Sequence, residues 1–263
     1  MRSEGKHEVS LTPVNPLIIA AHELKTPLVL MRQLSLDFAD SLKDADFAKD
    51  SEIIAERMRL TSEKTLRLVD SLTQAARLED GLFELEPIRL SGVFREITEE
   101  ILPLSNSLEQ KVVIKNSRKI TNHSASSPVV IANRSLLRSL MLNILDNSLQ
   151  HNNSGESIEI SSRIRRKSEQ KSGFDADVVA EIEVRDYGNE IDLHDFRKLR
   201  ENLGSVQPIS NRPLSSGLGL AIAEIFANKM GGELNIVRHS KRGGLSFTIT
   251  LPISRQMSLM ELL

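Results

Sequence analysis

The sequence predicts a helical hairpin followed by an α/β sandwich, and three observations carry that reading. In the first third, apolar residues recur at alternating spacings of four and three. Beyond Pro87, short alternating segments mixed with helical stretches replace that pattern. Eight of the thirteen glycines (Gly188, Gly204, Gly217, Gly219, Gly231, Gly232, Gly243 and Gly244) fall in the last 76 of 263 residues, so unusual backbone is expected there. At roughly 150 residues per domain the chain holds one large or two ordinary domains.

The first helix is marked by Leu17, Ala21, Leu24, Leu28, Met31, Ser35, Phe38 and Leu42, a heptad seam broken only by the serine. An acidic turn at Asp44 to Asp46 follows. The second helix carries Ile54, Met58, Thr61, Thr65, Leu68, Leu72 and Ala75 at the same spacing, with Arg77 near its end and Gly81 beyond. Two such helices cannot enclose a core alone, so a homodimer whose hairpins form a four-helix bundle is expected. In the second part, Val112–Lys115, Ile158–Ile164, Val178–Val184, Leu234–Val237 and Leu245–Leu251 read as strands. Leu90–Leu108, Arg134–Gln150 and Leu218–Met230 read as helices, the last stopped by Gly231-Gly232. The expected division is an N-terminal tail (1–13), a hairpin domain (14–86), an α/β domain of one sheet covered by helices (87–254) and a C-terminal tail (255–263).

Composition removes several classes of function. Cysteine is absent, which excludes a disulfide scaffold, a cysteine nucleophile and a thiolate metal site. The six histidines include no pair three to five residues apart, so a histidine-built metal site has no support. A net charge of −2 with only one Tyr and eight Phe argues against a nucleic-acid surface. The early apolar run Pro16–Ala21 is far short of the roughly 20 residues that span a bilayer. A cytoplasmic chain with no direct membrane insertion is expected.

Four features can carry chemistry. His22 lies one step off the seam, expected to face solvent with Thr26 at i+4 and the helix bent by Pro27 just beyond, which suits a nucleophile. Asn143 and Asn147 stand one turn apart, and an amide oxygen is a hard ligand suited to Mg²⁺, although for the pair in isolation capping or hydrogen bonding to local backbone is the favoured reading. Asp186 ends a strand ahead of Gly188, where a carboxylate can accept from an exocyclic amine; alone this is equally a strand-ending turn. Ser215-Ser216-Gly217-Leu218-Gly219-Leu220 opens a helix, and unpartnered leading amides favour an anion; taken alone, glycine for flexible helix entry explains the segment equally well.

Taken in order, these segments resemble the bacterial two-component sensor histidine kinases. His22-Glu23-Leu24-Lys25-Thr26-Pro27-Leu28 looks like the H box, Asn143–Asn147 the N box, Asp186-Tyr187-Gly188 the G1 box and Gly217-Leu218-Gly219-Leu220 the G2 box; Gly231-Gly232-Glu233-Leu234 and Phe247–Pro252 are also family-like. The resemblance runs from about residue 14 to 253. It implies a dimerisation and phosphoacceptor hairpin joined to a gyrase-like ATP-binding domain. His22 would attack the ATP γ-phosphate, Glu23 would orient the imidazole or take its proton, and Thr26 would support a reverse phosphatase reaction. Asn147 would hold Mg²⁺, with Asn143, Gln150 and His151 on the same surface. Asp186 would read the adenine amino group beside Gly188, and the Gly217, Leu218, Gly219 and Leu220 segment would shape a lid over the phosphates. A response-regulator receiver domain would take the phosphoryl group, and the stimulus would come from a separate sensor protein or a portion of the molecule outside this chain.

The sequence departs from the family pattern at the nucleotide. Glu190 stands where the second G1 glycine is usual, Gln150 where a lysine neutralises phosphate, and Ser215 replaces the first G2 glycine; the F box is reduced to Asp195–Leu199. The alternative reading is therefore a catalytically degenerate dimeric protein that binds a response regulator or another kinase without using ATP.

Overall fold

The computed structural model describes residues 16–41, 47–78, 83–115, 127–153, 155–166, 178–201 and 218–254. Helices α1 (Pro16–Ser41) and α2 (Phe47–Arg77) pack along one another as the expected hairpin, and α1 runs through Pro27. The C-terminal part of the α2 seam has a use the heptad pattern did not indicate. Leu68, Leu72 and Ala75 pack against the core of the α/β part, so the seam joins the two halves of the chain. A heptad specifies an apolar face, and any complementary apolar surface can cover it.

The α/β part follows in the order β1 (Glu86–Arg89), α3 (Leu90–Ser107), β2 (Lys111–Lys115), β3 (Val129–Ala132), α4 (Arg134–His151), β4 (Ser157–Arg166), β5 (Val178–Arg185), α5 (Leu193–Glu201), α6 (Leu218–Lys229), β6 (Glu233–Arg238) and β7 (Leu245–Pro252). Five strands form one sheet in the order β2-β4-β5-β7-β6, with β2 and β4 parallel and the other pairs antiparallel. The pleat sends Ile158 and Ile160 of β4, Ile182 and Val184 of β5, and Phe247 and Ile249 of β7 into the core. Glu159, Glu181 and Glu183 alternate with them on the opposite face, where Glu181 is covered by ion pairs to Arg163 and Arg165. Leu137, Leu140, Ile144 and Leu145 of α4 and Ala223, Phe226 and Ala227 of α6 supply the helical layer.

Two corrections concern this layer plan. The α/β part holds a second, two-stranded sheet, β1 paired antiparallel with β3, with Ile88 opposite Val130. Four-residue strands show too little alternation to be told from a loop. Helix α5 was likewise not expected. Its start is marked by Asp192, whose Oδ1 accepts from the Asp195 N–H at 2.8 Å, an N-cap that holds the Asp192 carboxyl below its ordinary pKa chiefly through that bond. At α4 the N-cap is Asn133: its Oδ1 accepts from Leu136 N–H at 3.1 Å and its Nδ2 donates to the Glu84 carbonyl at 3.0 Å. The α6 stop is as expected: Gly231 takes φ +74° and the Gly232 N–H donates to the Ala227 carbonyl at 2.9 Å. Among the described residues no helix is long and apolar enough to cross a membrane.

Phe226 is fully buried between α6 and the sheet. Phe226→Ala is expected to lower stability by about 3–5 kcal/mol, from lost transfer energy plus the cavity left behind, read as a shifted midpoint in chemical denaturation of the whole chain.

Candidate functional site

A cavity of about 480 Å³ opens where the C-terminal end of α4 meets the connection leaving β5. Asn147, Gln150 and His151 enter it from α4; Asp186, Gly188 and Glu190 enter from the connection. Five residues expected to contact nucleotide thus share one wall-to-wall space, although 35 residues separate His151 from Asp186 in the chain.

Asp186 is buried and held by backbone. Its Oδ1 accepts from Leu245 N–H at 3.0 Å and Gly188 N–H at 3.2 Å, which fixes the plane of the carboxylate at the cavity wall. Its own N–H donates to the Leu245 carbonyl at 3.0 Å. The glycines around it explain the skew in the sequence. A Cβ on Gly188 would overlap the His151 carbonyl oxygen, so the connection can cross the end of α4 only at glycine. Gly244, at φ +70°, lies against Asp186: a Cβ there would sit 2.6 Å from Oδ1. Gly243 and Gly244 do form the turn between the last strands, but Gly244 and Leu245 also seat Asp186, a role no local pattern announces.

Two further residues missed by sequence reasoning hold these segments together. Asn152 Oδ1 accepts from Tyr187 N–H at 2.8 Å while its Nδ2 donates to the Glu156 carbonyl at 2.8 Å. Buried Arg185 donates to the carbonyls of Gly243 at 2.7 Å, Leu245 at 3.2 Å and Asp186, and its guanidinium stacks 4.4 Å from the centre of the Tyr187 ring. The signal for Asn152 was present, since it closes the Asn143–Asn152 segment, but an asparagine after a helix ordinarily reads as a cap.

The remaining expected residues are placed differently. Asn143 lies one turn back from the cavity, beside Gly219, whose missing Cβ would stand 3.9 Å from the Asn143 Cβ; Asn143 Nδ2 is buried with no hydrogen-bond partner among the described residues. Leu218 and Leu220 open α6 with their side chains in the core, so only their backbone could meet a ligand. Gly217 and Ser215 lie outside the described residues. His22 and Glu23 belong to α1, but their side chains lie outside what is described, whereas Thr26 is exposed on α1.

The cavity wall is acidic. Asp186, Glu190, Asp192 and Asp195 line it, and no lysine or arginine does among the described residues. Glu190 is nevertheless partly neutralised: Arg238 at the end of β6 pairs with its carboxylate and donates from Nε to the Ile191 carbonyl. This ties the connection to the edge strand and draws the carboxylate toward an arginine. His239, next in the chain, has Nε2 2.8 Å from Ser246 Oγ. Burial, then the nearby Arg185 charge, push its pKa below the ordinary 6.5 against the opposing pull of Glu183 and Asp186.

A triphosphate with a divalent cation suits these residues. The wall offers amide oxygens at Asn147 and Gln150, and Asn143 supplies a buried amide donor awaiting a partner. No cluster of three His, Asp or Glu residues capable of holding an ion exists among the described residues. A cation there would share phosphate oxygens and water, the usual arrangement for Mg²⁺.

Comparison with known proteins gives the geometry its family. Residues 132–255 match the family of histidine kinase-, DNA gyrase B- and HSP90-like ATPases. These residues, a little under half of the chain, are similar to that ATPase family. The whole chain is similar to sensor histidine kinases. It is 26% identical over 238 residues to the sensor protein CutS of Streptomyces coelicolor, covering 89% of this chain and 51% of that protein. It is 26% identical over 240 residues to the histidine-protein kinase BaeS of Escherichia coli, covering 90% and 46%. The chain thus spans about half the length of these relatives. In fold it is similar to the histidine kinase AdeS of Acinetobacter baumannii, with a TM-score of 0.55 at 16% identity over 89% of this chain and 98% of that one. It is also similar to full-length ShkA in complex with AMPPNP, with a TM-score of 0.52 at 17% identity over 92% and 46%. The matched segment contains the cavity, from α4 through β7.

Gly188→Ala is expected to abolish nucleotide binding by the ATPase domain and cost about 1–3 kcal/mol through overpacking against α4, read by titration calorimetry and denaturation. His239 supplies a pH test. Between its lowered folded pKa and 6.5 the unfolded chain holds a proton that the folded chain refuses. Stability therefore falls as pH drops through 6.5, with the loss complete below the folded pKa. His239→Gln is expected to flatten this part of the curve, measured by urea denaturation between about pH 5 and 7.

Proposed function

We propose that this chain is the kinase portion of a two-component sensor protein, which moves the γ-phosphoryl group of ATP onto His22 and from there to an aspartate of a response-regulator receiver domain. The observation that carries the reading is the joining of Asn147, Gln150 and His151 with Asp186 and Gly188 around one cavity inside an ATPase domain. The AMPPNP complex of ShkA, a protein of similar fold, supports a nucleotide there.

Asp186, its plane fixed by two backbone amides, would accept a hydrogen bond from the adenine amino group, and Gly188 would let the base lie close to the chain. Asn147 would hold Mg²⁺, with Asn143 and Gln150 on the same surface, and that ion would neutralise phosphate charge where the cavity has no lysine or arginine among the described residues. The α6 N-terminus, led by Gly217 and Gly219, would meet the phosphates through backbone amides. A nitrogen of the His22 imidazole would form a bond to the γ-phosphorus as the bond to the β–γ bridging oxygen breaks. ADP leaves, and Glu23 takes the imidazole proton. Thr26, exposed four residues later on α1, would position water for dephosphorylating the regulator. The hairpin, residues 14–86, would form the dimer through apolar side chains that one chain leaves uncovered, Leu28 and Leu66 among them. Residues 87–254 would form the ATP-binding unit.

A second reading has one observation in its favour: an acidic wall containing Glu190 and Gln150, with no lysine or arginine among the described residues. It makes the chain a dimeric interaction protein that binds a regulator or another kinase without ATP. Incubation with γ-labelled ATP and Mg²⁺ separates the two. Acid-labile label that is absent from His22→Gln is the expected result. No label together with no nucleotide binding would overturn the kinase reading and leave the second.

A further inference from the structure

Apart from the apolar seam, the two halves of the chain are joined by polar contacts between α2 and α4. Arg67 of α2 reaches Asp146 of α4, with Nη2 3.2 Å from Oδ1 and 3.4 Å from Oδ2, and Nε 3.4 Å from Oδ2. The pair is largely buried, its side chains 17% and 12% exposed. Two turns further along α2, Gln74 Oε1 accepts from Ser139 Oγ–H at 3.0 Å. Each step of seven along α2 is thus matched by a step of seven backward along α4, so the two helices run antiparallel where they meet.

That register bears on the chemistry. His22 lies 19 residues before the end of α1, and Arg67 lies 20 residues after the start of α2. At about 1.5 Å per residue both stand roughly 30 Å along their helices from the hairpin connection, so they share one height on the hairpin. Asp146 is therefore clasped at the level of His22. Its chain neighbour Asn147 lines the cavity, and Gln150 and His151 follow within about 6 Å of helix rise beyond Asn147, on the side toward the connection.

We infer that the Arg67–Asp146 pair is the seat that fixes the nucleotide cavity at the height of His22, which makes Arg67 a positioning residue for phosphoryl transfer. The inference rests on the kinase reading proposed above. A guanidinium suits the task because Nε and Nη2 both reach the carboxylate, restricting rotation of α4 as well as its distance. Phosphoryl transfer depends on placing donor and acceptor, so a loosened seat reduces the rate and leaves nucleotide affinity alone.

The test uses the whole chain. Because the sequence contains no cysteine, single cysteines can be placed at exposed Arg32 on α1 and Lys229 at the end of α6. Spin labels there, with labelled chain diluted in unlabelled chain, report the distance between the halves. A narrow distance distribution is expected to broaden in Arg67→Ala and to narrow again in the exchange Arg67→Asp with Asp146→Arg. Single-turnover labelling of His22 at saturating Mg·ATP is expected to fall at least tenfold in Arg67→Ala while affinity for a non-hydrolysable ATP analogue stays within twofold, and the exchange recovers the rate. An unchanged distribution, an unchanged or raised rate, or a parallel loss of analogue affinity overturns the inference. A wild-type chain that takes no label while the distribution still broadens establishes the seat and defeats the kinase reading instead.

Discussion

Helix α4 is enclosed by the sheet, α3, α6 and α2, and the rest of the structure accommodates that enclosure. Leu137, Leu140, Met141, Ile144, Leu145 and Leu149 are buried, and Ser139, Asp146 and Ser148 are buried with them. An enclosed helix cannot present chemistry along its length. The ligand-facing groups gather instead at its C-terminal end, where Asn147, Gln150 and His151 emerge into the cavity. The connection after β5 must cross that end closely, which is why residue 188 cannot carry a Cβ.

Burial also governs the polar groups on α4. An enclosed carboxylate needs a partner, and Asp146 has one in Arg67, a residue from the other half of the chain. The same logic applies at Asp186, where the partners are the amides of Gly188 and Leu245. In both places a buried acid is oriented by at least one group remote in sequence, Arg67 at Asp146 and Leu245 at Asp186, and in both the next residue or the next but one lines the cavity. The electrostatics of that cavity follow. It is walled by acids and lined by no lysine or arginine among the described residues.

Glu190 shows how a single substitution is altered by its surroundings. Read as a letter in a motif, it places a charge where a glycine is usual and should weaken phosphate binding. In the folded chain Arg238 pairs with it and also holds the Ile191 carbonyl, so the substitution comes with a fastening between the connection and the edge strand. No local pattern links positions 190 and 238, because they meet only through the sheet order β5-β7-β6.

Much of this protein was determined by its sequence alone. Heptad spacing set the two long helices, alternation set five strands, and paired glycines ended α6, because each is a local consequence of side-chain periodicity or backbone freedom. The ordered motifs pointed to the similarity with the ATPase family for the same reason, since each motif is short and contiguous. Tertiary structure alone decided what the seam at Leu68, Leu72 and Ala75 covers, that Gly244 seats Asp186, and that Arg67 meets Asp146. The two short strands β1 and β3 belong with these, since four residues hold too little pattern and their pairing closes over the 39 positions between Arg89 and Val129. Periodicity shows that a face must be covered or a charge matched, but the partner is chosen by the packing of elements distant along the chain.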